Sequence, residues 1–122
     1  MSADPYSGRV RELFFRPRHA GCYEGAISVL VEDQGLRLRL CANVKGDRVE
    51  KLRFQAWGCP HTIAAAEAFC TGHEGSPVSA LLEFSASGLM QSLPVPAEKA
   101  GRILVLEDAV HSLGSRLRAT QQ

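Results

Sequence analysis

The chain has 122 residues, 45% hydrophobic and 22% charged, and its 14 Lys and Arg against 13 Asp and Glu leave a formal charge of +1. That length makes one domain over residues 1–122, which buries roughly two thirds of its unfolded surface and needs no staples for its core. The near-neutral balance excludes the basic footprint of a nucleic-acid binder. "MSADPYSGRV" holds no apolar run for a signal peptide, and "ILVL" at 103–106 falls far short of the ~20 residues of a membrane span. The expectation is a soluble, cytoplasmic protein with no nucleic-acid or membrane partner.

Tyr6, Val10, Leu13 and Phe14 recur at i, i+4, i+7 and i+8, which predicts a short amphipathic helix that stops before Pro17. "RPRHAGC" follows as a loop. From Ala26 the period changes to two: "AISVLVE", "LRLRLCANV" and "RVEKLRFQAW" are separated by "DQG" and "KGD", turn signals containing Gly and Asp. This predicts an antiparallel meander of three strands. Leu36, Leu38, Leu40 and Ala42 share one face, and Arg37, Arg39, Cys41 and Asn43 share the other, which is read as wet.

Pro60 suits the first position of a helix, and Ile63, Ala66, Glu67 and Cys70 lie along one stripe until "TGHEG" ends the run. Ser76 and Pro77 start a short helix through Phe84, "SASGLMQS" has room for another turn, and "LPVP" is an extended connector with Pro96 opening the last helix. Ile103, Leu106, Val110, Leu113 and Leu117 form the core stripe of that helix. The expected class is α+β, a three-stranded antiparallel sheet covered on one face by helices, with a helix at the amino terminus.

Four cysteines, at 22, 41, 59 and 70, are enough for two disulfides, yet the missing secretory signal predicts a reducing compartment in which thiols persist. Their spacing lacks the CxxC pairs of a structural zinc site. Cys22, in a loop near His19, and Cys41, alternating with arginines, are read as incidental thiols. Cys70 is read as core, because it lies roughly 16 Å along the helix from Cys59 and cannot share an ion with it. His73 and His111 have no partner at metal-binding spacing, and "TGHEG" is no HExxH motif.

Cys59 stands out in "RFQAWGCPHTIAAAEAFC", where a strand pattern runs through Gly58 into a helix beginning at Pro60. A thiol capping that helix would lie beside unpaired N–H groups and the positive end of the dipole, which favours thiolate. A thiolate can ligate iron or zinc, accept sulfur or attack an electrophile; the alternative is a small apolar residue packed at a tight junction. His61, two residues on, is a candidate second ligand or a solvated side chain. No GxSxG elbow or phosphate-cradling Gly loop occurs, and Cys59 with His61 as its base would require neighbours that do not face each other on a helix. The chain is therefore read as not an enzyme.

Over nearly its whole length the chain resembles the IscU/NifU amino-terminal type of iron-sulfur cluster assembly scaffold. The likeness runs through "GRVRELFFRPRHAG", the three strands, "RFQAWGCPHTIAAAEA" and "LPVPAEKAGRILVLEDAV"; an aromatic-Gly-Cys run followed directly by an Ile-Ala helix is its most specific part. The resemblance implies the same α+β sandwich and a site of three cysteines, an aspartate and a histidine at one end of the sheet. Only the middle cysteine is matched, by Cys59. Glu32 and Asp33 stand where the first cysteine and its aspartate belong, and Gly101 and Arg102 where a His-Cys pair belongs. A guanidinium cannot ligate a metal. The resemblance thus implies a degenerate metal site of Cys59, Asp33, Glu32 and His61 that takes iron, zinc or an iron-sulfur cluster. Cysteine desulfurase or other iron-sulfur assembly proteins are the implied partners. The alternative is a regulatory module that kept the fold, lost the cluster and docks on the sulfur-transfer machinery.

Overall fold

The period-two stretch becomes β1 (Ile27–Asp33), β2 (Leu36–Lys45) and β3 (Arg48–Trp57) in a computed structural model, which describes residues 8–15, 17–33, 35–58, 60–93 and 95–121. Tyr6, Cys59 and Pro94, each used in the sequence reading, lie outside the described residues. The strands pair antiparallel in the order β1-β2-β3, with Val29 opposite Leu40 and Leu40 opposite Phe54. Leu36, Leu38, Leu40 and Ala42 are buried, as the alternation requires. Each such leucine contributes about 1.5–3 kcal/mol by leaving water.

Two helices cover that face. In α2 (Pro60–His73) the small side chains of Ala64, Ala65 and Ala66 let the helix approach closely, while Phe69 fills the space between. In α5 (Ala100–Thr120) the stripe Ile103, Leu106, Val110, Leu113 and Leu117 is fully buried. α5 lies over β1 and β2, α2 lies over β3, and α1 (Gly8–Phe15) packs on α2. α3 (Val78–Leu82) packs on α5, followed by α4 (Ser87–Ser92). Pro96 does not open α5: it precedes a 3-10 turn, Ala97–Lys99, and the α-helix begins one residue after it. No helix among the described residues is long and apolar enough to cross a membrane.

The outer edge of β3 is covered rather than left to pair with another chain. The Val49 amide donates to Ser76 O at 2.8 Å, the Leu52 amide to Glu74 Oε2 at 2.9 Å, and the Phe54 amide to His19 O at 2.9 Å. Glu67, 1% exposed, anchors the same loop on α2. It accepts from the His19 amide at 2.7 Å and from Thr71 Oγ1 at 3.0 Å, and His19 Nδ1 lies 2.6 Å from its Oε2. His19 Nε2 lies 3.4 Å from Glu74 Oε1, and Arg53 closes the network on Glu74 Oε2 at 2.5 Å.

The sheet's second face stays open to solvent over most of its area, with Arg37 and Trp57 exposed as its reading as wet requires, but two of the cysteines depart from theirs. After passing the edge of β3, where the Gly21 amide donates to Phe54 O at 2.7 Å, the chain crosses the open face as a strap. Cys22 there forms a disulfide with Cys41, Cα to Cα 5.9 Å, and the Tyr23 hydroxyl donates to Asn43 Oδ1. Cys41 is 0% exposed. Cys22 and Cys41 are therefore not incidental thiols: the loop before β1 has to traverse the sheet from its β3 edge to its β1 edge, and that path lays one sulfur on the other. Cys70 is free and buried, as expected.

Candidate functional site

One end of the sheet gathers the hairpin turn between β1 and β2, the last residues of β3 and the start of α2. The register sets Glu32 opposite Arg37 and Arg37 opposite Trp57, so a row of charge, cation and ring crosses all three strands. Gly35 turns the hairpin at φ +72°, a value that favours glycine. Behind this row lies an open cleft of about 490 Å³, bounded by Glu32, Asp33, Gly35, Arg37, Trp57 and Gly58 with Leu36 beneath.

The charges in the cleft are solvated. Arg37 Nε lies 3.4 Å from Glu32 Oε1 with both side chains more than half exposed, a geometry worth at most about 1 kcal/mol. The same guanidinium stands over the Trp57 ring, 5.1 Å from its centroid, and Trp57 is 50% exposed. Gly58 is required where β3 leaves the sheet: its φ is +139°, and a Cβ there would lie 3.1 Å from Leu36 Cδ1.

His61, in the first turn of α2, is 2% exposed and does not line the cleft. Burial first, and then the nearby charge of Lys99, push its pKa below the usual imidazole value, with Glu98 opposing. The turn before α5 therefore meets the first turn of α2. Arg102 stands in the first turn of α5.

Glu32 and Asp33 thus line the same cleft as Gly58, the residue before Cys59. Arg37 and Trp57 were not foreseen as neighbours of the acidic pair; strand register is the signal that unites them. Among the described residues, which do not include Cys59, no group of three His, Cys, Asp or Glu is placed to hold a metal ion. The described part of the site offers carboxylate oxygens, a guanidinium and an aromatic face.

The NifU-like N terminal domain model matches residues 5–115 of the chain. The bifunctional protein NifU/MnmA of Rubrobacter xylanophilus is 30% identical over 112 residues, 87% of this chain and 23% of that protein. The nitrogen fixation protein NifU of Cereibacter sphaeroides is 31% identical over 100 residues, 77% of this chain and 41% of that protein. The chain therefore spans less than half the length of these two relatives. The iron-sulfur cluster assembly protein IscU of Plasmodium falciparum is 25% identical over 111 residues, 86% of this chain and 68% of that protein. Two crystal structures share the fold. One is a candidate iron-sulfur cluster assembly scaffold protein for the SUF system of Fervidobacterium islandicum, with TM-score 0.60, 16% identity, and coverage of 86% of this chain and 81% of that one. The other is the N-terminal part of a nitrogen-fixing NifU-like protein of Brucella abortus, with TM-score 0.57, 14% identity, and coverage of 94% and 82%. With its three-stranded antiparallel sheet under helices and a family match over residues 5–115, the chain belongs to the NifU-like N-terminal domain family.

Proposed function

We propose that the protein is an iron-sulfur cluster assembly scaffold or carrier with a degenerate cargo site, in which Cys59, Asp33 and Glu32 contact iron, zinc or a nascent cluster and pass it on, with His61 buried behind them rather than in the cleft. The observation that carries this reading is the cleft itself: register and turn bring Glu32 and Asp33 to Gly58, next in sequence to Cys59. Carboxylate oxygen and thiolate sulfur are both ligands for iron and zinc. An iron-sulfur cluster needs several cysteine thiolates, and Cys59 is the one sulfur this set supplies. Cargo held by one chain is accordingly weak and transient, and Cys59 doubles as the acceptor of sulfur from a partner such as a cysteine desulfurase.

Anaerobic calorimetric titration with ferrous iron tests the reading. Wild type should bind weakly, and Cys59→Ser and the double variant Glu32→Gln/Asp33→Asn should each weaken binding at least tenfold. Equal binding by all three proteins would overturn it.

A second reading is favoured by one observation. Arg37 is paired with Glu32 and stands over an exposed Trp57, which suits a protein surface more than a metal. On that reading the module docks on the sulfur-transfer machinery without holding a cluster, and the same titration gives no iron-binding heat.

A further inference from the structure

The disulfide across the open face is not part of the cargo site: Cys41 lies four residues along β2 from Arg37, roughly 13 Å at the rise of a strand. Its two cysteines are unequally covered. Cys41 is 0% exposed beneath the strap, whereas Cys22, on the strap, is only partly covered. A nucleophile from solvent therefore meets the Cys22 sulfur first. Cys41 Sγ also lies 3.5 Å from Arg53 O, so a thiol formed there has a carbonyl to which it can donate.

We infer that Cys22 and Cys41 form a reversible thiol–disulfide exchange site, opened by a dithiol reductant acting on Cys22 and closed by a small-molecule disulfide. In opening, a thiolate of the reductant bonds to the Cys22 sulfur, the Cys22–Cys41 bond breaks, and Cys41 leaves as a thiolate that takes up a proton. The second thiol of the reductant then attacks its own sulfur in the mixed disulfide. Cys22 leaves as a thiolate and is protonated in turn, and the reductant departs as its cyclic disulfide. Two electrons have moved from reductant to protein.

In closing, the Cys22 thiolate attacks the small-molecule disulfide and releases one half as a thiolate, and the Cys41 thiolate then displaces the other half from Cys22. The ends meet because the strap is held on both sides of Cys22 by other means. Gly21 and His19 remain bonded to Phe54, the His19 amide remains on Glu67, and Ile27 begins β1. Opening cuts the covalent tie between the strap and β2, leaves Tyr23 on Asn43 and loosens the strap over Cys41, while the helical face keeps its packing. The site depends on the strap alone and stands whether or not the protein carries a cluster.

The experiment uses the full chain in three states: oxidised with glutathione disulfide, reduced with dithiothreitol without denaturant, and reoxidised. Alkylation with peptide mapping and thermal unfolding are read in each. Reduction should add Cys22 and Cys41 to the alkylated thiols and lower Tm by roughly 10 °C, the loss expected when a loop of this size is no longer closed in the unfolded chain. Reoxidation should reverse both changes. Cys22→Ser, at the partly exposed position, should unfold like the reduced wild type and show no response to either reagent. A bond that opens only in denaturant, oxidation that links either residue to Cys59 or Cys70, or a Tm equal in the two states would each overturn the inference.

Discussion

Gly58→Ala probes the hinge that delivers the chain from β3 to α2. Gly58 has φ +139°, a backbone conformation that costs an L-residue about 1–3 kcal/mol. The added methyl would also stand 3.1 Å from Leu36 Cδ1 and 3.6 Å from Leu36 Cα. Leu36 is 2% exposed, so its side chain cannot swing into solvent to relieve the contact, and crowding of this kind adds about 1–2 kcal/mol. The sum, about 2–5 kcal/mol, is a large part of the 5–15 kcal/mol that stabilises an ordinary domain. With a urea m-value of about 1–3 kcal/mol/M, the midpoint should fall by roughly 1–2 M with the slope unchanged. Circular dichroism in urea reads this directly. A fall below about 0.3 M would refute the reasoning, because the hinge would then relax at almost no cost and Gly58 would not be what sets the geometry of the cleft.

Three further outcomes are expected. Burial alone would raise the Glu74 carboxyl, but its hydrogen bonds from the Leu52 amide and Arg53, with the charges of Arg53 and His19, hold it below its ordinary 4.5. The unfolded chain thus binds more protons in that window, so the stabilisation is complete above about pH 4.5 and is lost as pH falls through the folded value; Glu74→Gln should flatten the acid limb of the stability profile, and identical limbs would contradict this. Glu67→Ala leaves the His19 amide without its acceptor in a buried site and should cost about 2–4 kcal/mol in chemical denaturation, part of which Glu67→Gln should restore. The Cys70 thiol is pushed far above its ordinary value by burial, then by Glu67 and Glu74 against Arg53, so iodoacetamide on the native oxidised protein should spare Cys70 and mark Cys59; native labelling of Cys70 would show that its pocket opens.

Local chemistry that repeats was readable, and chemistry set by path was not. Leu36, Leu38, Leu40 and Ala42 alternate with polar residues, and period two with Gly in each turn leaves little choice but a meander. The α5 stripe was equally plain, yet its first residue was misplaced, because a proline can open a 3-10 turn as readily as an α-helix. The strap from 19 to 26 has no periodicity at all. That it crosses the open face, joins Cys22 to Cys41 and covers Cys41 follows from its path between α1 and β1, which no local pattern encodes. In the site, the acidic pair was singled out only by the family resemblance, because nothing local marks two carboxylates beside a turn as a site. Arg37 and Trp57 became its neighbours only through register.

The central claim is that this chain carries iron or a nascent cluster through Cys59 with the acidic pair, and without a full set of thiolates. Native mass spectrometry of protein loaded anaerobically with ferrous iron and sulfide tests it most directly, because it counts iron and sulfide on each oligomeric form. The account predicts partial iron occupancy that disappears in Cys59→Ser and falls in Glu32→Gln/Asp33→Asn, with no stable two-iron, two-sulfur cluster on the monomer. A monomer holding that cluster stably, or a wild-type protein that takes up no iron at all, would contradict it.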